Sequence, residues 1–185
     1  KTVNGVTTFE NTYPATDTVD EALAWLDGVT GPWMLYLSFN LPHVPFHEPP
    51  ASLHTIDLSN AGPPSADSRP YYKAMVQAMD TEIGRLLAGI ESQRDETLVI
   101  FVGDNGTPGV VAAAPLGTLY EGGVHVPLIV RGPAVVAASE SQALANTADL
   151  FATVADVAGV DLQASFPALV EDSVSLVPYF TNPSA

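Results

Sequence analysis

The chain has 185 residues, of which 46% are hydrophobic, and this is enough for one domain with its own core. Its 21 acidic residues against six lysines and arginines give a net charge of −15, which disfavours nucleic acid and anionic membranes as partners. Cysteine is absent, so this chain holds no disulfide, thiolate metal ligand or cysteine nucleophile, and its redox compartment stays open. No apolar run approaches the ~20 residues that cross a bilayer.

Two amphipathic helices are predicted in the first half of the chain. The first covers about residues 17–27, because Thr16-Asp17-Thr18 offers N-caps and an apolar face follows before Gly28. The second runs from about Pro70 to Ile90, where apolar residues recur every three or four positions. Its charged residues, Arg85 among them, are expected to be solvated.

Between these helices, the run Trp33–Phe39 predicts a buried strand. It is followed by residues 40–50, where four prolines exclude both a helix and an interior strand. A histidine in such a stiffened loop suits a preorganised site, although a surface loop with solvated histidines is the alternative. His43 and His47 have the spacing of a helical zinc pair, but Pro45 between them disfavours that helix.

A polar excursion between two apolar runs is the most informative stretch. Leu98–Val102 and Val126–Val130 are predicted to be buried strands, and Asp104-Asn105-Gly106 follows the first of them. Polar side chains at the carboxyl end of a strand indicate a ligand site in α/β sheets. Asn-Gly also indicates a hairpin turn, although Thr107-Pro108-Gly109 argues against an immediate return strand. From spacing alone both interpretations stay open.

A further helix is predicted from Asn146 to about Ala158, and a short one near Val174–Phe180. The order of helices and strands predicts an α/β domain over residues 1–185. Its sheet should be layered, largely parallel or mixed, and flanked by helices joined through right-handed crossovers.

Six segments in series resemble the carboxyl-terminal half of the sulfatases, the arylsulfatase-like branch of the alkaline phosphatase superfamily. In chain order they are PWMLYLSFNLPHVPFHEPP, YYKAMVQAMDTEIGRLL, TLVIFVGDNG, GTLYEGGVHVPLIV, ADLFATVADVAGV and EDSVSLVPYF. The resemblance covers nearly the whole chain, and it implies an incomplete alkaline phosphatase-like fold and a part in sulfuric ester hydrolysis.

The resemblance also implies roles for particular residues. Asp104 and Asn105 match the Asp-Asn pair that helps to bind calcium in sulfatases, and both supply hard oxygen ligands. His43 matches the histidine that contacts the sulfate and is a candidate for assisting the leaving group. The turn Glu121-Gly122-Gly123 matches the turn that shapes the site wall, and His125 stands near it where an arginine often contacts substrate.

Three departures from the family pattern limit this expectation. The family's nucleophile is a formylglycine made within a Cys/Ser-x-Pro-x-Arg segment of the first half, and this chain has no such segment. The remaining metal carboxylates also come from that half, so calcium is expected to bind this chain only weakly. Finally, Leu116 stands where the family usually has a sulfate-binding lysine. The chain begins at Lys1 rather than at methionine, which is consistent with an upstream segment.

Three hypotheses therefore remain: a portion of a sulfatase, inactive in isolation; a non-catalytic truncated relic of the family; or a phosphate or phosphonate ester hydrolase of the same superfamily. The expected partners are a sulfate ester, where a complete site is assembled, and further copies of the chain that pair through an exposed sheet edge. The family resemblance favours a periplasmic or secreted location.

Overall fold

The structure is a computed structural model, and it describes residues 1–111, 113, 116–167 and 172–185. The chain divides into two units, Lys1–Ser92 and Gln93–Ala185, which are described in turn. That all 185 residues form a single domain stays a prediction.

The first unit is built around two helices. Helix α1 spans Pro14–Asp27 and helix α2 spans Ser68–Gly89, so both predicted helices are confirmed, each with an earlier start. Proline suits the first position of α1, because its missing N–H would have no partner in the first turn of a helix. A small antiparallel pair, β1 (Thr2–Val3) with β2 (Val6–Thr7), precedes α1. A 3-10 helix, Glu91–Glu96, spans the boundary between the units.

Apolar residues, most of them small, line the contact between α1 and α2. The buried members are Ala15, Val19 and Ala22 on α1 and Ala74, Met75 and Ala78 on α2. Such short side chains let the two backbones approach closely.

A buried carboxylate also joins the two helices. Glu82 of α2 is only 2% exposed, and it accepts hydrogen bonds from Thr16 Oγ1 at 2.6 Å and from Arg85 Nε at 2.7 Å. Arg85 in turn donates to Asp20 Oδ1 at 2.7 Å and to the Thr16 carbonyl at 3.0 Å. The expectation that Arg85 is merely solvated was therefore wrong, since the guanidinium neutralises a carboxylate that the helix contact removes from water.

The predicted strand Trp33–Phe39 was also wrong as a strand. Its residues alternate between half-buried and exposed, as in a β-strand, but the segment belongs to neither sheet of the described chain. Met34 is 63% exposed and Tyr36 is 83% exposed, so one face of an extended apolar segment lies open. Composition predicted the extended backbone, but a strand also needs a neighbour to complete its hydrogen-bond ladder.

In the second unit, β3 (Val99–Val102) pairs with β4 (Leu128–Arg131). The pairing is antiparallel, with Val99 opposite Arg131 and Val102 opposite Leu128. The two strands are confirmed, but neither is buried as predicted: β3 is half-buried, and in β4 Ile129 is 61% exposed. The prediction of a largely parallel sheet is also wrong for the sheets that the described residues form. A parallel return needs a crossover, usually a full-length helix, whereas the only described helix between these strands is α3, the four residues Glu121–Val124.

Three further helices complete the second unit: α4 (Asp149–Val157), α5 (Leu162–Ser165) and α6 (Val177–Thr181). At the start of α4, the Asp149 carboxylate accepts from the backbone N–H groups of Asn146 at 2.7 Å and Val174 at 2.9 Å. These bonds tie the helix to the segment before α6. The second unit thus combines short helices with a small sheet, as in an incomplete α/β domain. Among the described helices, none is long and apolar enough to cross a membrane.

Candidate functional site

The acidic turn, Asp104–Gly106, follows β3 almost directly. The backbone that leads into the turn is held at Gly103, whose N–H donates to the carbonyl of Pro127, just before β4, at 3.0 Å. The side chains of Asp104 and Asn105 are exposed, whereas Gly106 is buried. The turn therefore presents one carboxylate and one amide to solvent from a fixed backbone.

Gly106 packs directly on the glycines of α3. A Cβ atom at position 106 would lie 2.6 Å from the Gly123 Cα and closer still to the Gly122 carbonyl oxygen, so no larger residue fits without movement. The next residue, Thr107, donates its N–H to the same Gly122 carbonyl at 3.2 Å. The Asp-Asn-Gly and Glu-Gly-Gly segments, which the sequence only suggests as separate motifs, are thus in contact within this unit.

Position 116 lies beside the same turn. The Leu116 N–H donates to the Thr107 carbonyl at 2.9 Å, and its side chain is 49% exposed. A lysine at this position would bring a cation to the edge of the acidic turn, but leucine brings none.

Glu121 and His125 pair across one turn at α3. The Glu121 carboxylate accepts from His125 Nδ1 at 2.5 Å, and both side chains are largely exposed. This contact occupies Nδ1, so Nε2 is the ring nitrogen of His125 that is left for another partner. Because the carboxylate offsets any charge on the ring, His125 is a weaker anion-binding group than an arginine.

The acidic turn fits part of a calcium site. Calcium takes about six to eight oxygen ligands, and Asp104 with Asn105 supplies two side chains of the right chemistry. Within the part of the chain that the structure describes, no group of three or more histidine, aspartate or glutamate side chains is placed to hold a metal ion. Asp104 and Asn105 would therefore supply a minority of the ligands of a calcium ion.

The histidine loop, residues 40–50, belongs to the first unit. Leu41, Phe46 and Pro49 are buried, and the Phe46 ring makes an edge contact with Tyr72 of α2 at a centroid distance of 6.0 Å. His54 Nε2 contacts the Pro49 carbonyl at 3.2 Å, which holds the end of the loop. These contacts fix the inner side of the loop and leave His43, Val44 and Pro45 exposed.

The His43 ring is oriented by its own loop. Its Nδ1 lies 2.7 Å from the Val44 carbonyl oxygen, and since a carbonyl only accepts, Nδ1 carries the proton. Nε2 therefore remains for a ligand on this exposed side chain. A sulfate oxygen also only accepts, so Nε2 donates to sulfate only when the ring holds both protons and is a cation.

The second histidine of the loop, His47, has a hydrogen-bond partner at each ring nitrogen. His47 Nδ1 lies 2.9 Å from the Pro45 carbonyl, and Nε2 lies 3.0 Å from the Tyr13 hydroxyl. The helical zinc-pair interpretation fails because the loop is not helical and the Tyr13 hydroxyl takes Nε2 of His47. Sequence reasoning missed Tyr13 altogether, since it lies 34 positions from His47 and belongs to no motif.

The structure thus brings Asp104, Asn105, position 116 and the Glu121–His125 segment together within the second unit. His43 lies in the first unit, within the histidine loop.

Comparison with known proteins identifies the family. The family model "Sulfatase" matches residues 3–160. An uncharacterized sulfatase of Escherichia coli K12, YdeN, is 28% identical over 92% of this chain, and arylsulfatase K of Rattus norvegicus is 24% identical over 90%. The crystal structure of Ps i-CgsB in complex with k-i-k-neocarrahexaose superposes with a TM-score of 0.80 at 26% identity, over 98% of this chain.

The chain spans only part of these proteins: 31% of YdeN, 37% of the rat arylsulfatase K and 41% of the Ps i-CgsB chain. The matched region nevertheless covers most of this chain and runs through both units. The chain belongs to the sulfatase family.

Proposed function

We propose that this chain supplies the sulfate-binding histidine and two of the calcium ligands of a sulfuric ester hydrolase. The nucleophile, a hydrated formylglycine, is expected in a segment beyond these 185 residues. The observation that carries the proposal is the fixed His43 ring, with Nδ1 on the Val44 carbonyl and Nε2 left for a ligand.

His43 acts as both anchor and acid in this proposal. The doubly protonated ring donates from Nε2 to an oxygen of the bound sulfate ester. As the sulfur–oxygen bond to the leaving group breaks, Nε2 passes its proton to the departing oxygen, which leaves as a neutral alcohol or phenol. Because the Val44 carbonyl keeps Nδ1 protonated, the ring returns to a single neutral tautomer after the transfer.

Asp104 and Asn105 would hold one side of a calcium ion. Bound calcium offsets negative charge on the sulfate oxygens, which this acidic chain otherwise repels. His125, whose Nδ1 donates to Glu121, would add a further donor, Nε2, at the wall of the site when its ring is doubly protonated.

Leu116 favours one alternative, a family member that folds but does not catalyse. Removing a single charge-stabilising donor typically raises a reaction barrier by about 2.7–4 kcal/mol. An apolar side chain beside the acidic turn is what such a relic would carry.

Turnover of para-nitrophenyl sulfate tests these alternatives. The chain alone should be inactive, since it has no cysteine and no Cys/Ser-x-Pro-x-Arg segment. Supplied with a sulfatase segment that carries the formylglycine, it should gain activity that His43→Ala lowers and Leu116→Lys raises. Turnover by the chain alone, abolished by Asp104→Ala, would contradict the proposal, and so would restored turnover that is indifferent to His43→Ala.

The proposal extends to assembly through sheet edges. In the described chain, β3 and β4 form a sheet of two strands, and such pairs are marginally stable without further strands. We propose that copies of the chain associate through these edges when no other strand covers them. Light scattering at micromolar concentration should give the mass of a dimer or larger species, whereas a clean monomer would contradict it.

A further inference from the structure

The two histidines of the histidine loop are bound to successive carbonyl groups. His43 Nδ1 contacts the carbonyl of Val44, and His47 Nδ1 contacts the carbonyl of Pro45. These carbonyls belong to two consecutive peptides that meet at Pro45, so the backbone at Pro45 sets the direction of both rings. A contact that holds this backbone also holds the ring of His43.

The backbone at Val44 and Pro45 lies on the side of the loop that the core does not fix. Phe46 and Pro49 are buried and anchor the inner side, whereas Val44 and Pro45 are exposed. The contact that reaches the outer side comes through His47, whose other ring nitrogen meets the Tyr13 hydroxyl at 3.0 Å.

The direction of these hydrogen bonds follows from the atoms. Because the Pro45 carbonyl only accepts, His47 Nδ1 carries a proton, and the neutral ring then has an unprotonated Nε2. The Tyr13 hydroxyl therefore donates to Nε2. Partial burial raises the pKa of the Tyr13 phenol, which keeps that hydroxyl protonated.

Tyr13 is itself held in place. It is the N-cap residue of α1, and its carbonyl accepts from the Asp17 N–H at 2.9 Å. Its ring meets the His47 ring edge-on at a centroid distance of 5.7 Å, so His47 is restrained by packing as well as by the hydrogen bond. The start of a packed helix thus serves as the fixed end of the chain of contacts.

We propose that Tyr13 is a positioning residue for His43, acting through His47 and the Pro45 carbonyl. Tyr13 need not touch the substrate; it fixes the peptide whose neighbouring carbonyl orients the substrate-binding ring. This inference rests on the proposed function, in which His43 binds the sulfate group.

The test compares Tyr13→Phe with Tyr71→Phe in the whole 185-residue chain. Tyr13→Phe keeps the aromatic ring and removes only the hydroxyl. Tyr71 is a matched control, since its hydroxyl donates one hydrogen bond, to the Gly62 carbonyl at 3.0 Å, within the same unit. Thermal unfolding first shows that both variants remain folded.

The readouts are the ring nitrogen signals of the histidines in NMR spectra and the exchange rate of the His43 amide, which donates to Asn40. Tyr13→Phe should shift the Nε2 signal of His47 and speed exchange at His43 about fivefold, the ratio expected for one lost hydrogen bond. Tyr71→Phe should change neither. His47→Asn keeps a donor for Pro45 but removes Nε2, so adding Tyr13→Phe to it should produce no further change.

Unchanged exchange at His43 in Tyr13→Phe would overturn the proposal, and so would an additive effect in the double variant. Titration with sodium sulfate separates this outcome from the proposed function. If sulfate leaves the His43 signals of the unaltered chain in place, the proposed function fails, while the exchange rates still decide whether Tyr13 holds the loop.

Discussion

The histidine loop and the acidic turn present polar groups to solvent by different means. The loop carries its own supports: buried side chains beneath it, carbonyls that orient both rings, and Tyr13 at the start of α1. Among the described residues, the acidic turn is held through its backbone, by Gly103 and by the packing of Gly106 on α3. Its side chains, Asp104 and Asn105, lie exposed at the edge of a two-stranded sheet.

Under the proposed function, this difference separates a histidine held by its own loop from a calcium site that the chain supplies only in part. The His43 ring, held through Nδ1, can donate from Nε2 to an anion once it is doubly protonated. A calcium ion needs more oxygen ligands than the acidic turn supplies. The backbone of the turn is held in one shape, but the turn alone cannot complete the ligand shell.

Gly106→Ala should disrupt the acidic turn. The new methyl group would meet the backbone of Gly122 and Gly123, which cannot give way as a flexible side chain would. We expect the free energy of unfolding to fall by about 3 kcal/mol, at the upper end of the usual cost of overpacking. Urea denaturation measures the change.

Gly84→Ala is the matched control for that substitution. Gly84 lies within α2, and a Cβ atom there would meet nothing within 4 Å. Because alanine favours a helix interior over glycine, stability should rise by up to about 1 kcal/mol. Equal effects at positions 84 and 106 would show that the glycine contact does not fix the turn.

Glu82→Ala should loosen the helix pair that supports the histidine loop. It leaves Thr16 without its acceptor and Arg85 without its buried partner, although Arg85 keeps Asp20. We expect a loss of about 2 kcal/mol, below the usual 3–5 kcal/mol for a buried pair because Arg85 is partly exposed. Thermal or urea unfolding gives the value.

Asp20→Ala provides the comparison, since it removes the exposed partner of the same arginine. Its side chain is 54% exposed, so the loss should stay below about 1 kcal/mol. If both substitutions cost the same, burial of Glu82 is not what stabilises the helix contact.

Calcium should bind the chain weakly, with a dissociation constant in the millimolar range or above, as expected of a site short of ligands. Asp104→Ala should remove the remaining binding, whereas Asp57→Ala, an exposed carboxylate in the first unit, should not. Calorimetry that detects a tight, stoichiometric site would show that other residues of the chain complete the ligand shell.

Local patterns predicted the helices well, because the repeat of apolar residues along α1 and α2 is a property of the segment itself. Strands were predicted less well, because strand pairing depends on residues that are distant in the sequence. The segment Trp33–Phe39 lies in neither sheet of the described chain. Strand β3 does pair with β4, but in the antiparallel direction. The site motifs could be named from the resemblance. Their contacts, such as Gly106 on Gly122, required the fold.

The supports of the site were the hardest to predict. Tyr13 and His47 are 34 positions apart, and Thr16 and Glu82 are 66 apart, so no window along the sequence contains either pair. An acidic residue inside an amphipathic helix predicts a solvated face. Only the packing of α1 against α2 shows that Glu82 is buried and that Arg85 neutralises it.

The most direct test of the account is a sulfate titration of the four histidine rings, followed by NMR against sodium chloride at matched ionic strength. Sulfate should move the signals of His43, whose Nε2 is left for a ligand, and more weakly those of His125. It should leave the signals of His47 and His54 unchanged. Tyr13 and Pro45 are hydrogen-bonded to the two ring nitrogens of His47, and Nδ1 of His54 is buried. Equal movement of all four rings, or a response at His47 with none at His43, would contradict the claim that this chain carries the sulfate-binding histidine.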